Sequence, residues 1–213
     1  MEISHKKPLR AFTQREAIFE SITGEKSKES ISPDGMNINI EKKKTTITIR
    51  NNKTSFFIEG IESEKQANTF ATYLFNKTKR ALDWSEIQRV GIRTFWISPV
   101  RINFFELVRR FKERFFNPDN IIVQNSVDVC ALLDFKDNER IATYRVGPME
   151  KTQLEQRFMI FKKGGDFPDQ FIFVDVDLGF VDAEANDDID DMLRTAINFS
   201  KNKALQTDKI LNK

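Results

Sequence analysis

The stretch FIFVDVDLGF, Phe171 to Phe180, limits the possible folds more than any other part of the chain. Alternate side chains of an extended strand point to opposite faces, so Ile172, Val174, Val176, Leu178 and Phe180 form one side, and Phe171, Phe173, Asp175 and Asp177 the other. The first side is a core face. The second begins aromatic and ends acidic, which calls for cover at one end and water or cations at the other. A helix follows. Asn186 is placed to cap it, and Asp187, Asp188, Asp190 and Asp191 lie in or near its first turn, where the helix dipole favours negative charge. Ile189, Met192, Leu193, Ala196, Ile197 and Ser200 share one stripe, and Lys201 and Lys203 stand near the far end.

Other segments carry the same two periodicities. Thr13 and Glu16 have capping-box spacing for a short helix from Gln14 to about Ile22, and SPDG at Ser32 to Gly35 signals a turn, so residues 1–35 are read as a polar N-terminal segment. MNINIEKKKTTITIR and TSFFIEGI predict three strands, with Lys42, Lys43 and Lys44 as a solvated hairpin tip. Ser63 and Gln66 open a helix whose stripe runs Ala67, Phe70, Ala71, Leu74, Phe75, Thr78, Ala81 and Leu82. EIQRVGIRTFWIS then reads as a strand with Val90, Ile92, Thr94 and Trp96 on one face and Arg89, Gly91, Arg93 and Phe95 on the other. A second helix, about Ile102 to Phe116, turns Phe104, Phe105, Leu107, Val108, Phe111 and Phe115 inward, and its outer acids and bases are spaced as surface ion pairs. SVDVCALLDF, ERIATYRV and QLEQRFMIF complete a predicted meander before the Phe171 strand. The fold class expected is therefore α+β, a mainly antiparallel sheet of about seven strands covered by three amphipathic helices near Glu64 to Leu82, Ile102 to Phe116 and Asp187 to Asn202. Residues 36–213 are read as a single domain.

The chemistry available is narrow. His5 is the only histidine and lies on an N-terminal segment expected to be disordered, which excludes His-based triads and the usual zinc sites. Cys130 is the only cysteine, expected as a small buried hydrophobe on a strand, and fits a reducing compartment. The chain has neither a phosphate-loop nor a dinucleotide-binding glycine motif, and its glycines number eight. No apolar run is long enough for a membrane span, and MEISHKKPLR lacks the apolar centre of a signal peptide, so a cytoplasmic protein is expected. Ten acids and no Lys or Arg lie between Lys163 and Arg194; against 34 basic residues and 22 remaining acids, the rest of the chain carries +12. Such segregation offers complementary docking surfaces or a solvated face. Arg89 and Arg93 share a strand face, and they either grip an anion bidentately or neutralise Asp175 and Asp177 across the sheet.

RVGIR at Arg89 to Arg93, FVDVDLGFVD at Phe173 to Asp182 and a closing helix that begins DDIDDML occur in this order. Over roughly Met36 to Ile210 the chain resembles a sporadically distributed family of uncharacterised prokaryotic proteins. Its members pair an R-x-G-L-R-Y-type strand with a late D-I-D-type strand and a final helix. Thr94 and Phe95 differ from that pattern, and the closing helix lacks a Leu-His pair. The resemblance implies only a bacterial or archaeal cytosolic protein from a mobile or defence-related gene neighbourhood, and brings no established activity with it. The residues together predict a non-enzymatic binding protein without cofactor or metal, acting as a sensor, adaptor or accessory subunit on another protein or through self-association. Its interaction candidates are Arg89, Arg93, Asp175, Asp177, Asp187, Asp188, Asp190 and Asp191. Two alternatives stand beside it: a nucleic-acid binder using the basic remainder, and a magnesium- or manganese-dependent phosphodiesterase built on Asp175, Asp177 and Asp187.

Overall fold

The computed structural model describes residues 1–5, 15–23, 30–32, 35–40, 44–50, 52–82, 87–117, 119–137, 140–162, 167–181 and 188–211. The strands are β1 (Glu2–His5), β2 (Ser30–Ser32), β3 (Gly35–Ile40), β4 (Thr45–Arg50), β5 (Lys53–Ile58), β6 (Ile87–Val100), β7 (Ala131–Asp137), β8 (Arg140–Glu150) and β9 (Gln170–Val181). The helices are α1 (Arg15–Thr23), α2 (Glu64–Leu82), α3 (Phe104–Phe115), α4 (Ile121–Asn125), α5 (Lys151–Arg157), α6 (Met159–Lys162) and α7 (Ile189–Leu211). The fold is α+β, and the nine strands among the described residues are hydrogen-bonded in the order β2-β3-β4-β5-β1-β6-β9-β8-β7. Nine strands replace the seven expected, while the three long helices fall where the stripes placed them.

Two compact units divide the chain. The first comprises Met1–Ile92, Asp137–Ile141 and Leu178–Ala196, so the boundary expected near residue 35 lies inside it. Its pairs β2–β3, β3–β4, β4–β5, β5–β1 and β1–β6 are all antiparallel. Alternation sets the core: Ile38, Ile47 and Ile49 from the strands, and Leu74 and Phe75 from α2, are at most 4% exposed. The strand β1 was not legible in the sequence. EISH holds one aliphatic residue, too few to show a period, yet Ile3 is 0% and His5 3% exposed because β1 lies between β5 and β6. His5, expected on a disordered segment, is thus a buried strand residue.

The second unit comprises Arg93–Lys136, Ala142–Asp177 and Ile197–Lys213. Its core joins Leu107 and Phe111 of α3, Tyr144 and Val146 of β8, Ile172, Val174 and Val176 of β9, and Ala204 and Leu211 of α7. Buried hydroxyls are matched there: Tyr144 Oη and Thr207 Oγ1 are 2.5 Å apart, and Trp96 Nε1 donates to Ser200 Oγ at 3.0 Å. QLEQRFMIF, expected as a strand, is helical. Glu150 N donates to Gln153 Oε1 at 2.9 Å, which starts α5, and the buried Leu154, Phe158 and Phe161 follow at spacings of four and three, a helical stripe hidden in an aromatic run. The preceding strand begins only at Ala131, and Cys130 just before it is exposed instead of buried. Partial desolvation still raises its thiol pKa.

Candidate functional site

The open face of the second unit is built by three elements. On β9 the residues opposite the core set are Phe171, Phe173, Asp175 and Asp177. Phe171 and Phe173 are buried because Phe158 and Phe161 pack on them, with centroid distances of 6.1 Å for Phe158–Phe173 and 5.6 Å for Phe161–Phe171. On β6 the matching residues are Arg93 and Phe95. The Phe95 and Phe173 rings stack at 5.8 Å and Arg93 meets Asp175, so β6 runs antiparallel to β9 here. Arg93 donates Nε to Asp175 Oδ1 at 2.8 Å and Nη2 to Oδ2 at 2.6 Å, a bidentate pair. The pair is asymmetric: Asp175 keeps 4% of its side chain exposed and Arg93 47%. The hydrogen bond to Asp175 raises the Arg93 pKa, burial opposes it, and the fields of Asp175 and Asp177 assist.

Two further arginines reach this face. Arg145 of β8 brings Nη1 to 3.8 Å from Asp175 Oδ2, beyond hydrogen-bond range, and is 41% exposed. Arg157 of α5 lies over the Phe173 ring at 5.7 Å, and Arg93 over Phe95 at 5.2 Å. Arg93 and Arg145 therefore stand beside Asp175, a carboxylate inside the protein, and Arg157 over the neighbouring Phe173 ring. Guanidinium groups beside aromatic rings suit planar anions, carboxylate or phosphate. Arg145 and Arg157 were not among the sequence candidates. Strand periodicity through Thr143 and Arg145 was the signal for the first; the second was hidden because its segment read as a strand.

The remaining candidates do not join this cluster. Arg89, in the first unit, has Nη1 3.6 Å from Glu2 Oε1 and lies across two glycines. A Cβ at Gly179 would stand 3.0 Å from its Nη2 and one at Gly91 3.6 Å, so the missing side chains are the space in which the guanidinium rests. At the start of α7, Asp188 Oδ1 accepts from the backbone N–H of Asp190 at 2.9 Å and of Asp191 at 3.3 Å, an N-cap. Asp190 Oδ1 accepts from Asn68 Nδ2 at 2.6 Å and Thr72 Oγ1 at 3.2 Å, fastening α7 to α2 within the first unit. Asp191 lies 3.4 Å from Arg194. Asp188 and Asp190, both interaction candidates, hold their own helix in place. Asp187 lies outside the described residues.

A metal at Asp175 would have to displace its bidentate arginine, and among the described residues no group of three or more His, Cys, Asp or Glu is placed to hold an ion. No described helix is long and apolar enough to cross a membrane. No protein-family model, curated protein or solved structure matches this chain, so its function is read from the residues alone.

Proposed function

We propose that the protein is a non-enzymatic binding protein, a sensor, adaptor or accessory subunit, that grips an acidic segment of a partner protein with Arg93, Arg145 and Arg157. The observation that supports this is the division of labour at Asp175. Arg93 commits two donors to both carboxylate oxygens, which leaves Arg145 at 3.8 Å and 41% exposed beside a carboxylate already satisfied. A carboxylate from outside supplies what Arg145 lacks. The prokaryotic, defence-related setting implied by the resemblance is where such an adaptor would be sought.

Affinity capture from the host at two salt concentrations, with and without nuclease, tests the reading. One stoichiometric protein that survives nuclease and is lost with Arg145→Glu plus Arg157→Glu is the expected result. Recovery of nucleic acid alone, with affinity falling by about 10³ or more between about 50 and 200 mM salt, would transfer the arginine face to phosphate binding.

A further inference from the structure

Strand β7 ends the sheet order, and among the described residues no strand pairs on its outer side. It also exposes three large apolar side chains. Leu132, Leu133 and Phe135 are 55%, 48% and 39% exposed, although natural edge strands are kept from pairing by charge, proline or short length. The segment before it adds Ile121, Ile122 and Val127, each at least 69% exposed. Of the twelve exposed large hydrophobic residues among the described ones, six therefore fall between Ile121 and Phe135. Exposed apolar side chains along an unpaired edge mark a surface open to pairing.

We propose that a second copy of the chain covers it, pairing β7 with β7 antiparallel about a two-fold axis at Phe135. The charges on the strand select both the occupant and the register. ALLDFKD carries Asp134 and Lys136 on either side of Phe135. An axis at Asp134 sets that carboxylate opposite its own copy, and an axis at Lys136 does the same with two ammonium groups. Like charges directly opposite one another destabilise a strand pair. With the axis at Phe135, each Asp134 faces Lys136 of the other copy, twice by symmetry, and the two Phe135 rings meet at the centre. Asp134 and Lys136 lie on the opposite face of the strand from Phe135, so the ion pairs form on one side of the joint sheet and the Phe135–Phe135 contact on the other. Two of these side chains also have partners within their own copy: Thr143 Oγ1 of β8 donates to Asp134 Oδ1 at 2.8 Å, and the Lys203 ammonium sits 4.9 Å from the Phe135 ring centre.

Sedimentation velocity of the full chain over a dilution series reads the outcome. The wild type is expected to show a monomer–dimer equilibrium, and Phe135→Lys to be monomeric. Asp134→Lys and Lys136→Asp each create two like-charge contacts per dimer and should weaken association roughly tenfold. The double swap restores it. Mixing the two single variants should also give a mixed dimer, because positions 134 and 136 are then both basic in one copy and both acidic in the other. Circular dichroism confirms that each variant is folded. Should Phe135→Lys fail to fold, the two exposed charge variants and their mixture decide the matter. A wild type that stays monomeric throughout overturns the proposal, as does a dimer unmoved by either charge change or single variants that fail to rescue one another.

Discussion

Asp175 and Glu106 each lie beside two arginines, Arg93 and the more distant Arg145 in one case and Arg109 and Arg110 in the other, yet 4% of the Asp175 side chain is exposed against 27% of Glu106. The contacts themselves are alike. Glu106 accepts from Arg109 at 2.8 and 2.9 Å and from Arg110 at 2.7 Å, while Asp175 accepts from Arg93 at 2.6 and 2.8 Å. What separates them is where the charge goes when a partner is removed. Glu106 sits on the outer face of α3, and water replaces a lost arginine. Asp175 has β9 on one side and the sheet around it, and a lost arginine leaves a carboxylate with little solvent to take its place.

The largest expected effect tests this difference directly. Arg93→Leu should lower the urea-unfolding free energy by about 3 kcal/mol, because it strands the buried carboxylate with only the more distant Arg145 for company. Adding Asp175→Leu to that variant should recover most of the loss, since an apolar pair of similar volume needs no counter-charge. If both single variants and the double variant were equally mild, the burial argument would fail. A middle case lies in the first unit, where Asp190→Ala removes the acceptor of Asn68 and Thr72. About 1 to 2 kcal/mol is expected in the same unfolding assay, for two side-chain donors left to find water. Glu106 closes the series with the smallest effect at neutral pH. The hydrogen bonds from Arg109 and Arg110 lower its pKa from 4.5 to about 2. A folded-state pKa below the unfolded one gives stability that is present above 4.5 and fades as pH falls toward about 2. Glu106→Gln should therefore cost a small amount of stability at neutral pH and flatten the acid limb of a stability–pH curve in that window, the difference from wild type vanishing as pH falls toward about 2. Added salt should weaken the α3 pairs and spare the Arg93–Asp175 pair.

The Arg93–Asp175 contact was partly legible in the sequence, since period two places Arg89 and Arg93 on one face of β6 and Asp175 and Asp177 on one face of β9. Which arginine meets which aspartate depends on strand register, and no local pattern encodes a pairing between residues 82 apart in the chain. The acidic segment misled for a related reason. Ten acids in one stretch look like a single charged surface, but Asp175 turns into the sheet, Asp188 caps a helix and Asp190 ties two helices together. Charge counted along a chain says little about charge in space when side chains alternate in direction. Helices α5 and α6 escaped because Phe158, Met159, Ile160 and Phe161 form an apolar run whose length suits a strand, and the Glu150–Gln153 capping box just before it was the overlooked signal.

The position of β1 also bears on how the chain is made. Its partners are residues 53–55 on β5 and 87–91 on β6, and Phe56 N–H donates to Met1 O across 55 residues. During synthesis β1 must therefore wait, unpaired, until β5 has emerged, and stays an open edge until β6 follows. The first unit then lacks residues 178–196 until β9 and the start of α7 have been made. A polypeptide of this order gains its non-local pairings late, which slows assembly and lengthens the period in which Ile3 and its neighbours are available to chaperones.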